Sequence, residues 1–556
     1  MKERILIAVA WPYANGSLHL GHIAGAYLPA DIFARYNRLK GNDVLMVSGS
    51  DQHGTPITVR ADQEGVSPRE IAERYHNDFL ESWRSLGISF DLFTSTGTEN
   101  HRRVAQAVFT SLNDKGHIYR DKMSMLYCPN CSRFLPDRYV EGICPHCRGE
   151  TRGDQCDGCG KPLNPQELIN PKCKHCDGIP EVRESEHYFL RLSVFNDKLS
   201  HWAGEQAHWK PNVRNFTTRF LNEGLRDRAI TRDIEWGVPV PVEGFENKRI
   251  YVWFEAVIGY LSASMEWAQV SGDGDAWRRF WDGDARSYYF IGKDNIPFHT
   301  IIWPSMLMGY GGLNLPYDVP ANEYLTIGGR ALSTSRNWAV WVPDYLSRYD
   351  PDPLRYFLSV SMPEDGDTDF SWREFVRRNN DELVATYGNL VHRVLTITYK
   401  NFEGKVPTPG GPDERSDALI EGARKTFKDV DGMIGLCRFR EAMRNIMALA
   451  HETNRYLDEK APWKAIKEDR EEAGTSLYVA LSVISCLKTM FSPFLPFTSA
   501  KLHGLLGLPG SVEELGWAVA DIVPGQQLMK PEPLFTKLDE SIVVEEDARM
   551  ESACVN

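Results

Sequence analysis

Two short runs, more than three hundred residues apart, carry side chains suited to chemistry on a phosphate. His19-Leu20-Gly21-His22 puts two imidazoles on what reads as the first turn of a helix, where ring N–H groups can donate to phosphate oxygens and the helix dipole favours an anion. Gly21, lacking a Cβ, lets a purine lie against the backbone. Leu332-Ser333-Thr334-Ser335-Arg336 is a small, hydroxyl-rich loop that could fold over the same phosphates, with Arg330 just before it as a cation. A third group of residues could hold a small ligand with a cationic and an apolar end. Asp51 offers a carboxylate to an ammonium, and Trp11, Tyr13, Trp253, Tyr260 and His299 offer aromatic faces and a polar group. Taken singly, such aromatics are more often core; their company with the two phosphate runs argues otherwise.

These residues need elements to position them. A buried strand over 5–10 leads into the first run. The following helix carries Ile23, Ala26, Tyr27, Ile32, Phe33 and Tyr36 on one face, and Gly41 stops it. A second strand over 44–47 delivers Ser48-Gly49-Ser50-Asp51-Gln52-His53-Gly54-Thr55 to the same edge, where parallel α/β sheets bind ligands. Sheet-type sequence resumes over 250–254 and again over 288–294. Residues 119–230 read as an insertion rich in Cys, Gly and Pro, and beyond about 373 the pattern is helical. The expected fold is α/β: a split, Rossmann-type parallel-sheet domain (1–118 and 231–322) with a zinc-binding insertion (119–230). A connecting region (323–385) that carries the second run, an α-helical bundle (386–530) and a tail (531–556) follow.

Eight of the eleven cysteines form four Cys-x-x-Cys pairs: Cys128/Cys131, Cys144/Cys147, Cys156/Cys159 and Cys173/Cys176. Two such pairs make one tetrahedral thiolate site for Zn²⁺, so two structural sites are expected. Disulfides are the alternative, disfavoured in a chain without a secretion signal. The inner pairs are close enough to close a short loop, which leaves Cys128/Cys131 with Cys173/Cys176 in a nested arrangement.

The two phosphate runs resemble the two ATP signatures of class I aminoacyl-tRNA synthetases. The residues around them, notably 251–260, 295–299, 388–393 and 458–463, are similar to methionyl-tRNA synthetases over nearly the whole chain. The resemblance implies methionine–tRNA ligase activity, with Mg-ATP, L-methionine and tRNA(Met) as partners. It implies ATP contacts at His19, Gly21, His22, Ser333, Thr334 and Ser335, with Lys293, next to Asp294, and Arg330, next to the second signature, as further candidate phosphate contacts. Methionine contacts are implied at Trp11, Tyr13, Asp51, Trp253, Ala256, Val257, Tyr260 and His299. Arg232 is implied to help with the carboxylate and phosphate, and Asp294 to orient Arg232 or the ribose. Asn389, Arg393 and Trp463 match the site that reads the CAU anticodon. Relatives that keep one zinc site keep the inner four cysteines, which favours nesting. One departure stands out: Ala331 and Thr334 occupy positions where the second signature usually has lysines, and Arg330 is the nearest replacement cation.

The 556 residues carry a formal net charge of −13, which is neutral on nucleic-acid binding because tRNA contact needs only a local basic surface. Lys2 and Arg4 precede an apolar run, but no small-residue cleavage site follows it. The apolar helix over 476–491 reads as too short to span a bilayer and contains Lys488. A cytoplasmic protein without membrane contact is therefore expected; many methionyl relatives continue into an extra OB-like domain that dimerises, and its absence from this sequence implies a monomer.

Overall fold

The computed structural model describes residues 2–136, 139–153, 156, 163–333, 337–411 and 413–555. Strands β1 (Arg4–Val9), β2 (Asp43–Ser50), β3 (Leu92–Ser95), β4 (Arg286–Gly292) and β5 (Ala321–Asn322) form a parallel sheet in the order β5-β4-β1-β2-β3. Strand β1 is apolar from Ile5 onward because helices cover both of its faces. Its two neighbours belong to the two halves of the split domain. The crevice at the carboxyl end of β1 and β4 is thus the topological switch point, where ligands of such sheets bind.

The chain leaves β1 through Trp11, Pro12 and Tyr13, and its first helical turn is Leu20–His22. A π-helical segment, Ile23–Tyr27, then joins the helix Leu28–Leu39, and Gly41 at φ +77° turns the chain out of it. The segment over 250–254 departs from the sheet reading. Only Arg249–Ile250 is strand, and Val252–Val270 is a helix buried over most of its surface. An apolar run of β-branched and aromatic residues fits either state. Length decides it here, since the apolar run continues through Met265.

Two long antiparallel strands, Ile118–Cys128 and Glu181–Leu190, carry the insertion away from the sheet. They present a small sheet of Val140–Ile143, Glu150–Arg152 and Ile169–Cys173. In the C-terminal half the helices Glu414–Gly435, Phe439–Lys460 and Arg470–Phe491 pack together. The last is longer than its sequence suggested and is the one helix among the described residues apolar and long enough to cross a membrane. It is the bundle's central helix, 89% buried over its apolar window, with Lys488 enclosed against His503 at 3.3 Å. Nor is the tail loose. The helix Ser541–Val555 docks on the connecting region, where buried Glu546 accepts from Arg348 and, at 2.7 Å, from the Tyr349 hydroxyl.

Arg355 joins the halves. It is fully buried in the helix Pro351–Val360. It donates to Asp31 on the helix that continues from the first signature (2.7 Å), to Leu86 O (3.2 Å), and to Pro493 O and Phe494 O of the bundle (2.9 and 2.7 Å).

Candidate active site

The two signatures meet through backbone hydrogen bonds. Leu20 N–H donates to Val340 O (3.2 Å) and Val342 N–H to Leu18 O (2.8 Å), so the segment just past the second signature is zipped onto the start of the first. Leu332 reaches Gly21: a Cβ there would stand 3.7 Å from Leu332 Cδ1 and 3.0 Å from the His19 ring. The two imidazoles stack with centroids 3.7 Å apart. His22 Nδ1 accepts the His19 backbone N–H at 3.1 Å. Burial lowers the pKa of His22 to about 4, and burial together with His22 lowers that of His19. His22 is therefore neutral at pH 7 with its hydrogen on Nε2, a donor without charge.

Arg330 and Ala331 form a two-residue strand against Leu325–Ile327, and Ser333 and Trp338 exchange backbone hydrogen bonds (2.9 and 3.0 Å). Arg330 is exposed, lies over the Trp338 ring at 5.7 Å, and has no ion pair among the described residues. Thr334 and Ser335 lie outside the described residues.

On the other side of the crevice, the segment after β1 pairs with the end of β2: Asp51 N–H donates to Pro12 O and Ala14 N–H to Asp51 O. Asp51 is 3% exposed. Burial, then the negative charge of Glu255, pushes its carboxyl well above the usual range. A carboxylate so placed favours an incoming cation.

Trp11 is held between two backbones, because a Cβ on Gly49 would fall 2.3 Å from its ring and one on Gly259 2.7 Å. The Trp253 indole N–H donates to the Tyr13 hydroxyl at 2.7 Å, and Trp253 remains 46% exposed. Tyr260 and His299 are buried, with Tyr260 Oη 2.7 Å from His299 Nε2. His299 Nδ1 faces Asn295 O at 2.8 Å, so Nδ1 is the donor there. Burial lowers the His299 pKa to about 4, hence Nε2 is a bare acceptor and Tyr260 donates to it. Both hydrogens of this pair are already engaged.

Trp253 and Tyr260 sit on the helix Val252–Val270, and His299 on a π-helical segment, Phe298–Ile302. Ala256 is half-buried, whereas Val257 belongs to the core beneath.

Arg232 and Asp294 are apart. Arg232 donates to Ala229 O (3.0 Å) and Thr231 O (2.9 Å) and lies 3.9 Å over the Tyr251 ring, lining one cavity with Tyr13, Trp253 and Pro136. Asp294 instead accepts the Tyr324 hydroxyl. Lys293 is held by Glu323 (2.8 Å) and Asp367 (2.9 Å), partners that the local sequence around it did not reveal.

In the insertion, the sulfurs of Cys128, Cys131, Cys173 and Cys176 all lie within 4.8 Å of one another, as do those of Cys144, Cys147 and Cys156; Cys159 lies outside the described residues. This is the nested pairing. A tetrahedral Zn–S length of about 2.3 Å sets sulfurs about 3.8 Å apart. Cys131 and Cys173 are 3.8 Å apart, Cys147 and Cys156 3.5 Å, so the thiols fit the metal. Ser132, Arg148 and Asp177, each directly after a pair, take left-handed backbone (φ 53°, 65° and 54°), the tight turn that folds the chain around its sulfurs.

At the far end, Arg393 lies 5.1 Å over the Trp463 ring and pairs with Asp458 (3.1 Å) and Asn454 (3.2 Å). Asn389 is exposed one turn earlier on the same helix. Three buried groups were not singled out from sequence: His53, His101 and Glu255, which form a chain behind Asp51. The only signal was an acidic residue inside the apolar run 251–260.

Residues 5–395 match the family profile of tRNA synthetases class I (M), and residues 406–553 match the anticodon binding domain of methionyl tRNA ligase. The chain belongs to the methionyl-tRNA synthetases. Among curated relatives, a methionine–tRNA ligase of Dehalococcoides mccartyi is 62% identical over 551 residues, covering 99% of this synthetase and 100% of the relative. One of Thermomicrobium roseum is 53% identical, covering 99% of each. A solved Mycobacterium tuberculosis methionyl-tRNA synthetase in complex with methionyl-adenylate superposes with a TM-score of 0.80 at 28% identity, over 96% of this synthetase and 100% of that chain. The synthetase is thus a class I aminoacyl-tRNA synthetase with methionine–tRNA ligase activity.

Proposed function

We propose that activation takes place in the crevice between the two signatures and Asp51. A methionine carboxylate oxygen attacks the α-phosphorus of Mg-ATP, giving methionyl-adenylate and pyrophosphate. A hydroxyl of the terminal ribose of tRNA(Met) then attacks the acyl carbon and AMP leaves. The observation that supports this most is the backbone zipper between Leu18–Leu20 and Val340–Val342, which holds both signatures beside one buried carboxylate.

In this reading Asp51 and the backbone at Trp11 hold the ammonium, and Tyr13, Trp253, Tyr260 and His299 enclose the thioether. Arg232 faces the carboxylate. His22 donates from Nε2 to phosphate as a neutral group, and His19 and the hydroxyls of Ser333, Thr334 and Ser335 complete the cradle. Arg330 serves the departing pyrophosphate in place of the lysine that Ala331 replaces. Catalysis is then positioning and charge stabilisation without a protein nucleophile. The four-cysteine sites would hold two Zn²⁺ ions in a structural role, because four thiolates leave no open position. Asn389, Arg393 and Trp463 would read unpaired anticodon bases by hydrogen bonding and stacking.

Methionine-dependent ATP–pyrophosphate exchange by the unaltered chain and by Ala331→Lys tests the reading. Robust exchange by the unaltered chain is expected. Exchange confined to Ala331→Lys would remove Arg330 from its assigned role, and tRNA binding without exchange from either would point to a binding protein.

A further inference from the structure

Arg330 is exposed and has no ion pair among the described residues, so no opposite charge at its tip sets where the guanidinium stands. Its position is inherited from the backbone at its root. Arg330 opens the second strand of a hairpin only two residue pairs long, standing opposite Ile327, with Ala331 opposite Thr326. The turn between them is Gly328 at φ +59° and Gly329 at φ +70°, the pair of left-handed residues that a two-residue hairpin loop of this kind requires. So short a hairpin is marginal in water by itself. It needs an outside hold.

Asp369 supplies that hold. The strand Thr368–Phe370 runs parallel to Leu325–Ile327, with Asp369 beside Thr326. One carboxylate oxygen, Oδ1, accepts the Gly329 N–H at 2.9 Å and the Thr326 hydroxyl at 2.6 Å, and Oδ2 accepts the Gly328 N–H at 3.2 Å. Two successive N–H groups in a turn form a concavity suited to an anion, and here a side chain of the protein fills it. The support behind Asp369 is firm. Phe370 and Trp372 are in the core, Thr368 N–H donates to Tyr324 O at 3.0 Å, and the Thr368 hydroxyl donates to Ser361 O at 2.7 Å.

We propose that Asp369 is a positioning residue for adenylate formation: by closing the Gly328–Gly329 turn it fixes where the hairpin presents Arg330 to the departing pyrophosphate. This rests on the reading that Arg330 serves that group. Asp369 acts through hydrogen bonds to the turn and not as a counter-charge, since Arg330 pairs with no carboxylate among the described residues. At the other end of the side chain the Trp338 ring lies 5.7 Å away, and Trp338 is tied by its backbone to Ser333, so root and tip are guided by separate parts of the same loop.

Methionine-dependent ATP–pyrophosphate exchange by the full chain and by Asp369→Ala, Asp369→Asn, Arg330→Ala and the double variant Asp369→Ala/Arg330→Ala tests the assignment. Asp369→Ala should lower the kcat of exchange about tenfold, with methionine KM and methionine binding followed by tryptophan fluorescence unmoved. Asp369→Asn keeps an acceptor at Oδ1 for Gly329 and Thr326 and gives up only the bond to Gly328, so it should recover most of the rate. The double variant should be no slower than Arg330→Ala alone, because a misplaced cation that is absent has nothing left to lose. A further tenfold loss in the double variant overturns the proposal, as does an Asp369→Asn as slow as Asp369→Ala, which would make the charge the active feature. Loss of methionine binding by Asp369→Ala also overturns it, since the carboxylate would then be holding more than the turn. Normal exchange by Arg330→Ala would remove Arg330 from its assigned role first, and the positioning role would fall with it.

Discussion

The groups that would receive methionine are bonded to one another, and all but Trp253 are at least half-buried, whereas the two cations nearest the ATP signatures, Arg330 and Lys293, stand open or are held by other partners. On the first side, Tyr260 and His299 share one hydrogen, Trp253 donates to Tyr13, and Asp51 sits at 3% exposure. On the second, Arg330 is exposed with an indole for company, and Lys293 spends its charge on Glu323 and Asp367. A side chain with little charge must be sorted by shape and a few fixed bonds, which work only if they are in place beforehand. Phosphate charge is long-ranged and can gather mobile cations on arrival. The amino-acid side is bonded together in advance, whereas Arg330 and Lys293 are not bonded into the phosphate side.

Asp51→Asn should break the prebuilt side hardest. Removing one partner of an enclosed ammonium–carboxylate contact costs about 4 kcal/mol, or roughly a thousandfold in kcat/KM for methionine. Pyrophosphate exchange at varied methionine reads it, and a loss below about tenfold would mean the ammonium is held elsewhere. Arg330→Ala should lower the kcat of exchange by about a hundredfold, near 3 kcal/mol, with methionine KM unmoved. Adding Ala331→Lys in that background should recover most of it. Trp463→Ala is the control remote from both sides: a lost base stack of about 2 kcal/mol should raise the tRNA KM about thirtyfold in aminoacylation and leave exchange alone. Tyr260→Phe strands the His299 Nε2 acceptor, and at about 1–2 kcal/mol should raise methionine KM about tenfold without altering kcat.

A separate effect is on stability against pH. His22 and His299 have pKa values lowered to about 4 by burial, below the unfolded value near 6.5. The unfolded chain binds more protons between those values, so stability is full above pH 6.5 and declines as pH falls toward 4. A melting temperature that stayed level across that window would show that these imidazoles are more open than their burial implies.

Strands β1, β2 and β4, the helix stopped at Gly41 and the nested cysteines were all legible, because each rests on a local pattern: apolar runs, a helical period, a repeated spacing. The Arg393–Trp463 contact was visible only through resemblance. What escaped depends on distance or on irregularity. Asp294 finds Tyr324 thirty residues away, and Glu255 finds His101 on another helix. No spacing announces such pairs. The π-helical segments Ile23–Tyr27, Phe298–Ile302 and Asn379–Gly388 each abut or contain a site residue, yet a widened turn leaves no mark in a hydrophobic period. The run over 250–254 misled because β-branched and aromatic residues suit a fully enclosed helix as well as a strand.

Trp11, clamped between Gly49 and Gly259, limits how the substrate range can be redesigned. With the backbone at Gly49 and at Gly259 both pressed against the indole ring, Trp11 has no room to shift, and neither glycine can gain even a methyl group. Room for a longer or bulkier analogue of methionine has to be cut at the mouth, where Trp253 is 46% exposed and Tyr13 leans on it. Libraries that vary those two positions and spare Trp11 are where altered specificity should be found.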